Sequence, residues 1–345
     1  MLQTAGGSAT WPRRRWLIGA VGAGLVSTAV YLGVGAYAYL QFAPVTPKCP
    51  PTEGFEDVQE PTSFRAWATI DGVRREIDTT PYRMPAPRDV AFPARNDPVV
   101  TIAGWWEPAT TVDNPTVIVT HGSGGCRRNS GNLLVTGMLH RHGVAVLLID
   151  MRNHGDSTVQ DGRFAAGNDE YLDVLGAFDW LRAQGVPARR IGLFGFSGGA
   201  IASMIAMGEE PAVAAIWADS SFTDVGEALR DGLREAGVPT FFDGGAILAA
   251  RLLTGEDISA RSPLAATAKL AGRAVALTQG GRDEYLNPAY LEKLAQAVRT
   301  AGGDPVVWPV PDAGHTQAHF LHPAEYERRL ADFFLRAVGG VTGAG

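Results

Sequence analysis

The chain has 345 residues, a formal charge of −6, 46% hydrophobic and 19% charged residues. That balance suits a folded globular chain and excludes disorder, and it lacks the clustered Lys and Arg that nucleic-acid binding requires. Two cysteines, Cys49 and Cys126, are too few for a disulfide framework or a cysteine-based zinc site, and no repeat at solenoid or propeller period is present.

In chain order, Arg13, Arg14 and Arg15 precede an uncharged run from Trp16 to Phe42, WLIGAVGAGLVSTAVYLGVGAYAYLQF. At ~1.5 Å per residue this run makes a helix roughly 40 Å long, more than the ~30 Å of a hydrocarbon core. A buried core helix so long and so apolar on every side would be unusual. The expectation is a cytoplasmic stretch at 1–15 and a single-pass transmembrane anchor at 16–42, with the remainder outside by the positive-inside rule. Two rival readings keep the export and lose the anchor: Ala36-Tyr37-Ala38 resembles a signal-peptidase site, and PRRRWL resembles a twin-arginine signal. The GAVGAG at 19–24 lacks a strand–turn–helix context and is not read as a dinucleotide loop.

Residues 43–63 turn Pro-rich and acidic, which reads as a partly extended linker. The globular domain is expected over 64–338 and a frayed tail over 339–345. FRAWATI and VRREIDT flank Asp71-Gly72 and read as a hairpin, and PVVTIAGWW adds another β-rich run. From Pro115 onward short apolar runs alternate with helical ones. TVIVT precedes a helix near 130–142, VAVLLID one near 168–184, and RIGLFGF one starting near 198. AVAAIWA follows, then AVALT with a helix near 288–300 and PVVW with a helix near 322–337. Uniformly apolar strands alternating with helices predict an α/β fold with a mostly parallel, doubly wound sheet, whose ligands sit at the carboxyl ends of the strands.

Gly195-Phe196-Ser197-Gly198-Gly199 fits G-x-S-x-G directly after one such strand and directly before AIASMIAM. The bare pattern is weak in so glycine-rich a chain; its position gives it weight. A turn this tight would make a Cβ at Gly195 or Gly199 collide with its neighbours, while it presents the Ser197 hydroxyl beside a helix N-terminus. Serine needs a base, and the position of the seven histidines sorts them. His315 follows PVVW and is the candidate, with His319 and His322 as its nearest competitors. His121 and His154 precede Ser197, and His140 and His142 bracket a helix end. The orienting acid is read as Asp283, in TQGGRDEYLNP after AVALT, with Asp219 in WADSSF as its rival. HGSGG after TVIVT supplies oxyanion donors: the Ser123 N–H, with Gly124 second, beside the Gly198 N–H, each worth roughly 3–4 kcal/mol in the barrier. No Lys-Ser or Lys-Thr follows HGSGG, which excludes a P-loop. No metal or cofactor is expected.

The order Ser197…Asp283…His315, with HGSGG upstream and DMRNHGDS after the next strand, resembles the α/β-hydrolase superfamily. GFSGGAIASMIAM followed by ADSSFTDV is similar to its membrane-anchored Bem46-like and serine aminopeptidase (S33)-like branch. The resemblance covers roughly Phe92 to Val338 and implies hydrolysis through an acyl-serine, with DMRNHGDS shaping the loop layer without a catalytic role. It leaves the 64–90 segment unexplained. An esterase is the leading expectation, with thioester and amide bonds as alternatives, acting on a small or lipid-like acyl substrate. A catalytically silent scaffold domain tethered to the membrane is the competing class, and a perhydrolase or haloperoxidase-like activity would use the same triad.

The stretch 221–262 is too long for a plain connection and reads as a helical cap above Ser197, with Phe222, Phe241 and Phe242 as candidates for an acyl pocket or for ordinary core. In an oxidising compartment, a disulfide from the linker to the domain through Cys49 and Cys126 is open to the chain.

Overall fold

The computed structural model describes residues 11–49, 59–70, 72–110, 114–270 and 272–338. Outside them lie residues 1–10 of the expected cytoplasmic stretch, 50–58 of the expected linker, Asp71 of the expected turn and the expected tail. Helix α1 (Trp11–Phe42) comes first. Its part from Trp16 to Phe42 is long and apolar enough to cross a membrane. Residues 16–30 are exposed on every side, whereas Gly35, Tyr39 and Ala43, spaced one helical turn apart, are buried against the rest of the chain.

Strands β1 (Ala66–Ile70) and β2 (Val73–Ile77) form the hairpin and stand apart from the main sheet. Ile70 pairs with Val73 across a two-residue turn in which Gly72 takes a positive φ of 73°. The remaining strands are β3 (Arg88–Ala94), β4 (Asp97–Glu107), β5 (Thr116–Thr120), β6 (Ala145–Ile149), β7 (Ile191–Phe196), β8 (Ala215–Asp219), β9 (Ala274–Gly280) and β10 (Val306–Val310). They build an eight-stranded sheet in the order β10-β9-β8-β7-β5-β6-β4-β3. The pairs from β6 through β10 are parallel; β3 and β4 join antiparallel at one edge. β3 was not foreseen, because Pro93 interrupts its sequence. It is tolerated there because β3 is the edge strand, and the register shifts between Pro93 and Ala94.

Among the described residues the helices after α1 are α2 (Ser130–Arg141), α3 (Glu170–Ala183), α4 (Gly198–Glu209), α5 (Val225–Glu235), α6 (Asp243–Thr254), α7 (Pro263–Thr267), α8 (Ala289–Thr300), α9 (Ala318–Leu321) and α10 (Pro323–Ala337). Successive strand residues point to opposite faces, so the sheet feeds two cores. Ile118, Leu147, Leu193 and Ile216 pack with Val174 of α3, Ile201 of α4 and Leu294 of α8. Val117, Leu148, Phe194 and Trp217 pack with Leu133 of α2 and Tyr326 and Phe334 of α10. Burial on both faces is why these strands read as continuous apolar runs.

The described part of the linker is not a free tether, which corrects the expectation for 43–63. The Val45 N–H donates to the Gly162 carbonyl and the Phe164 N–H to that of Ala43, and Cys49 is disulfide-bonded to Cys126. Glu60 is paired with Arg128. Pro44 and its neighbours are held by backbone hydrogen bonds that a purely compositional reading does not show.

Candidate active site

Ser197 stands between the end of β7 and the start of α4 with φ at 48°, a left-handed conformation that non-glycine residues rarely adopt. The surroundings hold it there: its N–H donates to the Asp219 carbonyl, and its own carbonyl accepts from Ile201 in the first turn of α4. A Cβ on Gly195 would lie 2.4 Å from the Gly199 carbonyl, and one on Gly199 2.4 Å from the carbonyl oxygens of Thr120 and His121. Only glycine lets the two arms of this turn approach β5 so closely.

His315 and Asp283 sit on the loops after β10 and β9. These loops pack backbone to backbone: a Cβ on Gly280 would lie 2.3 Å from the Gly314 carbonyl, and the Arg282 N–H donates to Ala313. The Ser197 hydroxyl is 2.9 Å from His315 Nε2, and His315 Nδ1 donates to Asp283 Oδ2 at 2.8 Å. The other oxygen of Asp283 accepts the N–H groups of Tyr285 and Leu286, and Gln279 donates to Oδ2. The carboxylate is thereby fixed, and the exposed Tyr285 ring lies 5.2 Å from the imidazole.

Asp219, the rival acid, points elsewhere. It is buried and accepts from the Tyr326 hydroxyl and from Ser220, and burial pushes its carboxyl up to about 6. The competing histidines also have other places. His322 pairs with Asp312 at the surface and His142 with Glu327, while His319 is buried with both ring nitrogens unpartnered.

Gly198 begins α4, so its N–H has no partner within the helix. A Cβ there would lie 2.8 Å from the Ser123 nitrogen, which puts the Ser123 and Gly198 backbones side by side. The Gly124 N–H is already used: it donates to His154 Nε2 at 3.0 Å. His154 in turn donates from Nδ1 to the Arg152 carbonyl. His121 donates to the Gly122 carbonyl and accepts from the Met151 N–H. The two rings meet edge to face at 4.8 Å and tie HGSGG to DMRNHGDS. Burial holds both imidazoles neutral, pushing His121 down to about 4 and His154 to about 3. Arg127 and Asp150 pair beneath them, and Asp156 closes the ring of charges.

A cavity of about 570 Å³ opens at Ser197. Besides the HGSGG loop, Ser197 and His315, its walls include residues that sequence reading did not place at the site: Trp67 and Arg74 of the hairpin, Asn129–Asn132 at the start of α2, and His319 and Phe320. Two signals pointed there without being decisive, the Asp71-Gly72 turn and a second histidine four residues after His315. Residues 221–262 do form helices α5 and α6, but none of them lines this cavity, which corrects the expected cap above Ser197. Phe222 is buried in the core, and Phe241 and Phe242 stack on Tyr31 of α1.

A mostly parallel sheet clad by helices, with its polar cluster gathered beyond the strands' carboxyl ends, makes this an α/β-hydrolase and, in general terms, a serine hydrolase. Residues 77–322 match the model of the X-Pro dipeptidyl-peptidase (S15) family, and the chain belongs to that family. No curated protein matches it. Among solved structures, the Pyrococcus furiosus esterase Pf2001 is 23% identical over 73% of this chain and 93% of its own, with a TM-score of 0.60. The α/β-hydrolase GrgF from Penicillium sp. sh18 is 17% identical over 74% of this chain and 100% of its own, with a TM-score of 0.59. The Pyrococcus horikoshii acylaminoacyl peptidase is 16% identical over 81% of this chain and 47% of its own, with a TM-score of 0.58. At such identities the likeness is one of fold.

Proposed function

We propose that the protein is a membrane-anchored serine esterase that works through an acyl-serine on Ser197. The observation that carries the reading is the continuous chain from the Ser197 hydroxyl through His315 to Asp283. His315 Nε2 takes the hydroxyl proton as Oγ attacks the ester carbonyl, and the carbonyl oxygen becomes an oxyanion held by the N–H groups of Ser123 and Gly198. Asp283 keeps the other proton on Nδ1 and stabilises the imidazolium. His315 then protonates the departing alcohol, and water repeats the sequence to release the acid.

An ester is favoured over a peptide with a free N-terminus by the cavity's charge. Its lining holds Arg74 and no Asp or Glu among the described residues, so nothing there matches a substrate ammonium. The finer likeness to the Bem46-like branch belongs to this reading and is supported by GFSGGAIASMIAM and the apolar first helix. Arg13–Arg15 favour a cytoplasmic N-terminus and a catalytic domain on the far side, where the Cys49–Cys126 bond would persist.

A fluorophosphonate probe tests the reading. Wild type is expected to label covalently and to hydrolyse p-nitrophenyl esters, while Ser197→Ala does neither. Equal labelling of the two would remove Ser197 as nucleophile, and labelled wild type without ester turnover would move the substrate to another acyl class.

A further inference from the structure

The interface between α1 and α6 is built from small residues in backbone contact. A Cβ on Gly35 would lie 2.2 Å from the Gly245 carbonyl carbon, and one on Gly245 3.0 Å from the Tyr31 carbonyl oxygen. Tyr31 stacks on Phe241 and Phe242, with centroids 6.2 and 5.6 Å away. Helices that meet inside lipid associate through such close backbone packing, since apolar side chains gain nothing there by leaving the solvent.

α6 is also patterned inside out. The face turned to the protein carries Gly245, Ala246, Ala249 and Ala250, all buried. The face turned outward carries Leu248, Leu252 and Leu253, and Phe241 projects from the turn before it; of these, Phe241 is 61% and Leu252 66% exposed. A helix on a water-facing surface places its large apolar residues inward. The charged groups near this face are paired, Asp243 with Arg230 at its N-terminal end and Arg251 with Asp257 at its C-terminal end. Tyr37 and Leu40 of α1 are exposed as well.

The length of α1 fixes the depth. Residues 16–30, exposed on every side, give only about 22 Å at ~1.5 Å per residue, short of the ~30 Å hydrocarbon core. The missing length takes the core to about Gly35, and any tilt takes it further. Phe241 packs beside Tyr31, four residues or about 6 Å on the membrane side of that limit.

We propose that the N-terminal part of α6 is immersed in the outer leaflet alongside α1, with Phe241 against lipid acyl chains, Leu248 at the hydrocarbon boundary, and Leu252 and Leu253 at the level of the headgroups. The catalytic domain is then seated in the bilayer surface and not hung from it. This inference rests on reading α1 as an uncleaved span.

Single cysteines at Ile18, Phe241, Leu252 and Val99 of the full chain, each carrying an environment-sensitive fluorophore in phosphatidylcholine vesicles, test both levels; the native cysteines are disulfide-bonded. Chain-nitroxide lipids are expected to quench Ile18→Cys and Phe241→Cys strongly and Leu252→Cys, at the headgroup level, more weakly. Val99→Cys, on an exposed strand position, is expected to respond only to aqueous iodide. Should 241 and 252 follow 99 while 18 is quenched by lipid, the immersion of α6 is overturned and the anchor stands. Should 18 follow 99 as well, the anchor fails first and the inference with it. Shielding of 241 and 252 from both quenchers would assign this face to a second copy of the chain and overturn the lipid contact.

Discussion

Asp283 and Asp219 are both buried carboxylates near the same imidazole, yet their hydrogen bonds separate them. Asp283 holds His315 Nδ1, whereas Asp219 is committed to Tyr326 and Ser220. Asp283→Asn is therefore expected to lower kcat by about 10⁴-fold through the wrong imidazole tautomer. Asp219→Asn should keep most turnover and shift the melting temperature instead. Steady-state ester hydrolysis and thermal unfolding of the two variants read this directly, and equal losses of kcat would place Asp219 in the machinery. The three residues proposed as nucleophile, base and acid were legible because each lies just after an apolar run, where the fold puts reacting groups. The structural reason to prefer Ser123 over Gly124 as a candidate oxyanion donor was not. It depends on His154, which is remote in sequence and takes the Gly124 N–H.

At the scale of elements, glycines divide by what surrounds them. Gly199, in the first turn of α4, lies against the carbonyls of Thr120 and His121, and Gly199→Ala is expected to cost at least about 1–3 kcal/mol, since backbone there cannot yield. Gly232, on the exposed side of α5 with nothing within 4 Å, is the opposite case, and Gly232→Ala should stabilise by about 0.5–1 kcal/mol. Denaturant titration of the pair gives both signs; destabilisation by Gly232→Ala would mean that α5 meets a partner. The strands from Thr116 onward could be read from sequence because burial on both faces leaves them uniformly apolar. The hairpin β1–β2 could be read as a hairpin but not as a cavity wall. Its place on the wall of the cavity at Ser197 comes from the packing of β1 against α2 and α9, elements remote in sequence.

Across the whole molecule, two features set stability. The Cys49–Cys126 bond spans 77 residues, for which chain entropy gives about 4 kcal/mol, so reduction is expected to lower the melting temperature by several degrees or more. An unchanged melting temperature under reductant would show the linker to be held without the bond. The second feature is pH. His121 and His154 are depressed to about 4 and about 3 in the fold, below the 6.5 of the open chain. The unfolded state therefore binds more protons in that window, and the stability these rings contribute, full above 6.5, is lost as the pH falls towards 4. Melting temperature should decline there, while the rings of the folded chain stay neutral and keep the backbone N–H groups they accept. A flat profile from 6.5 to 4 would mean that the rings carry charge in the fold.

Local chemistry, written in short runs of residues, was enough to give the doubly wound sheet, the glycine-flanked serine and the apolar first helix, since strand burial, tight turns and hydropathy each leave a pattern within about twenty residues. The use of 221–262 could not be read that way. Both a cap over the serine and a seat for the first helix ask for amphipathic helices with phenylalanines, and only long-range packing of Tyr31 on Phe241 and Phe242 distinguishes them. The cavity walls escaped for the same reason. They depend on which distant backbones come within a few ångströms of each other, a property of the folded chain that no single segment carries.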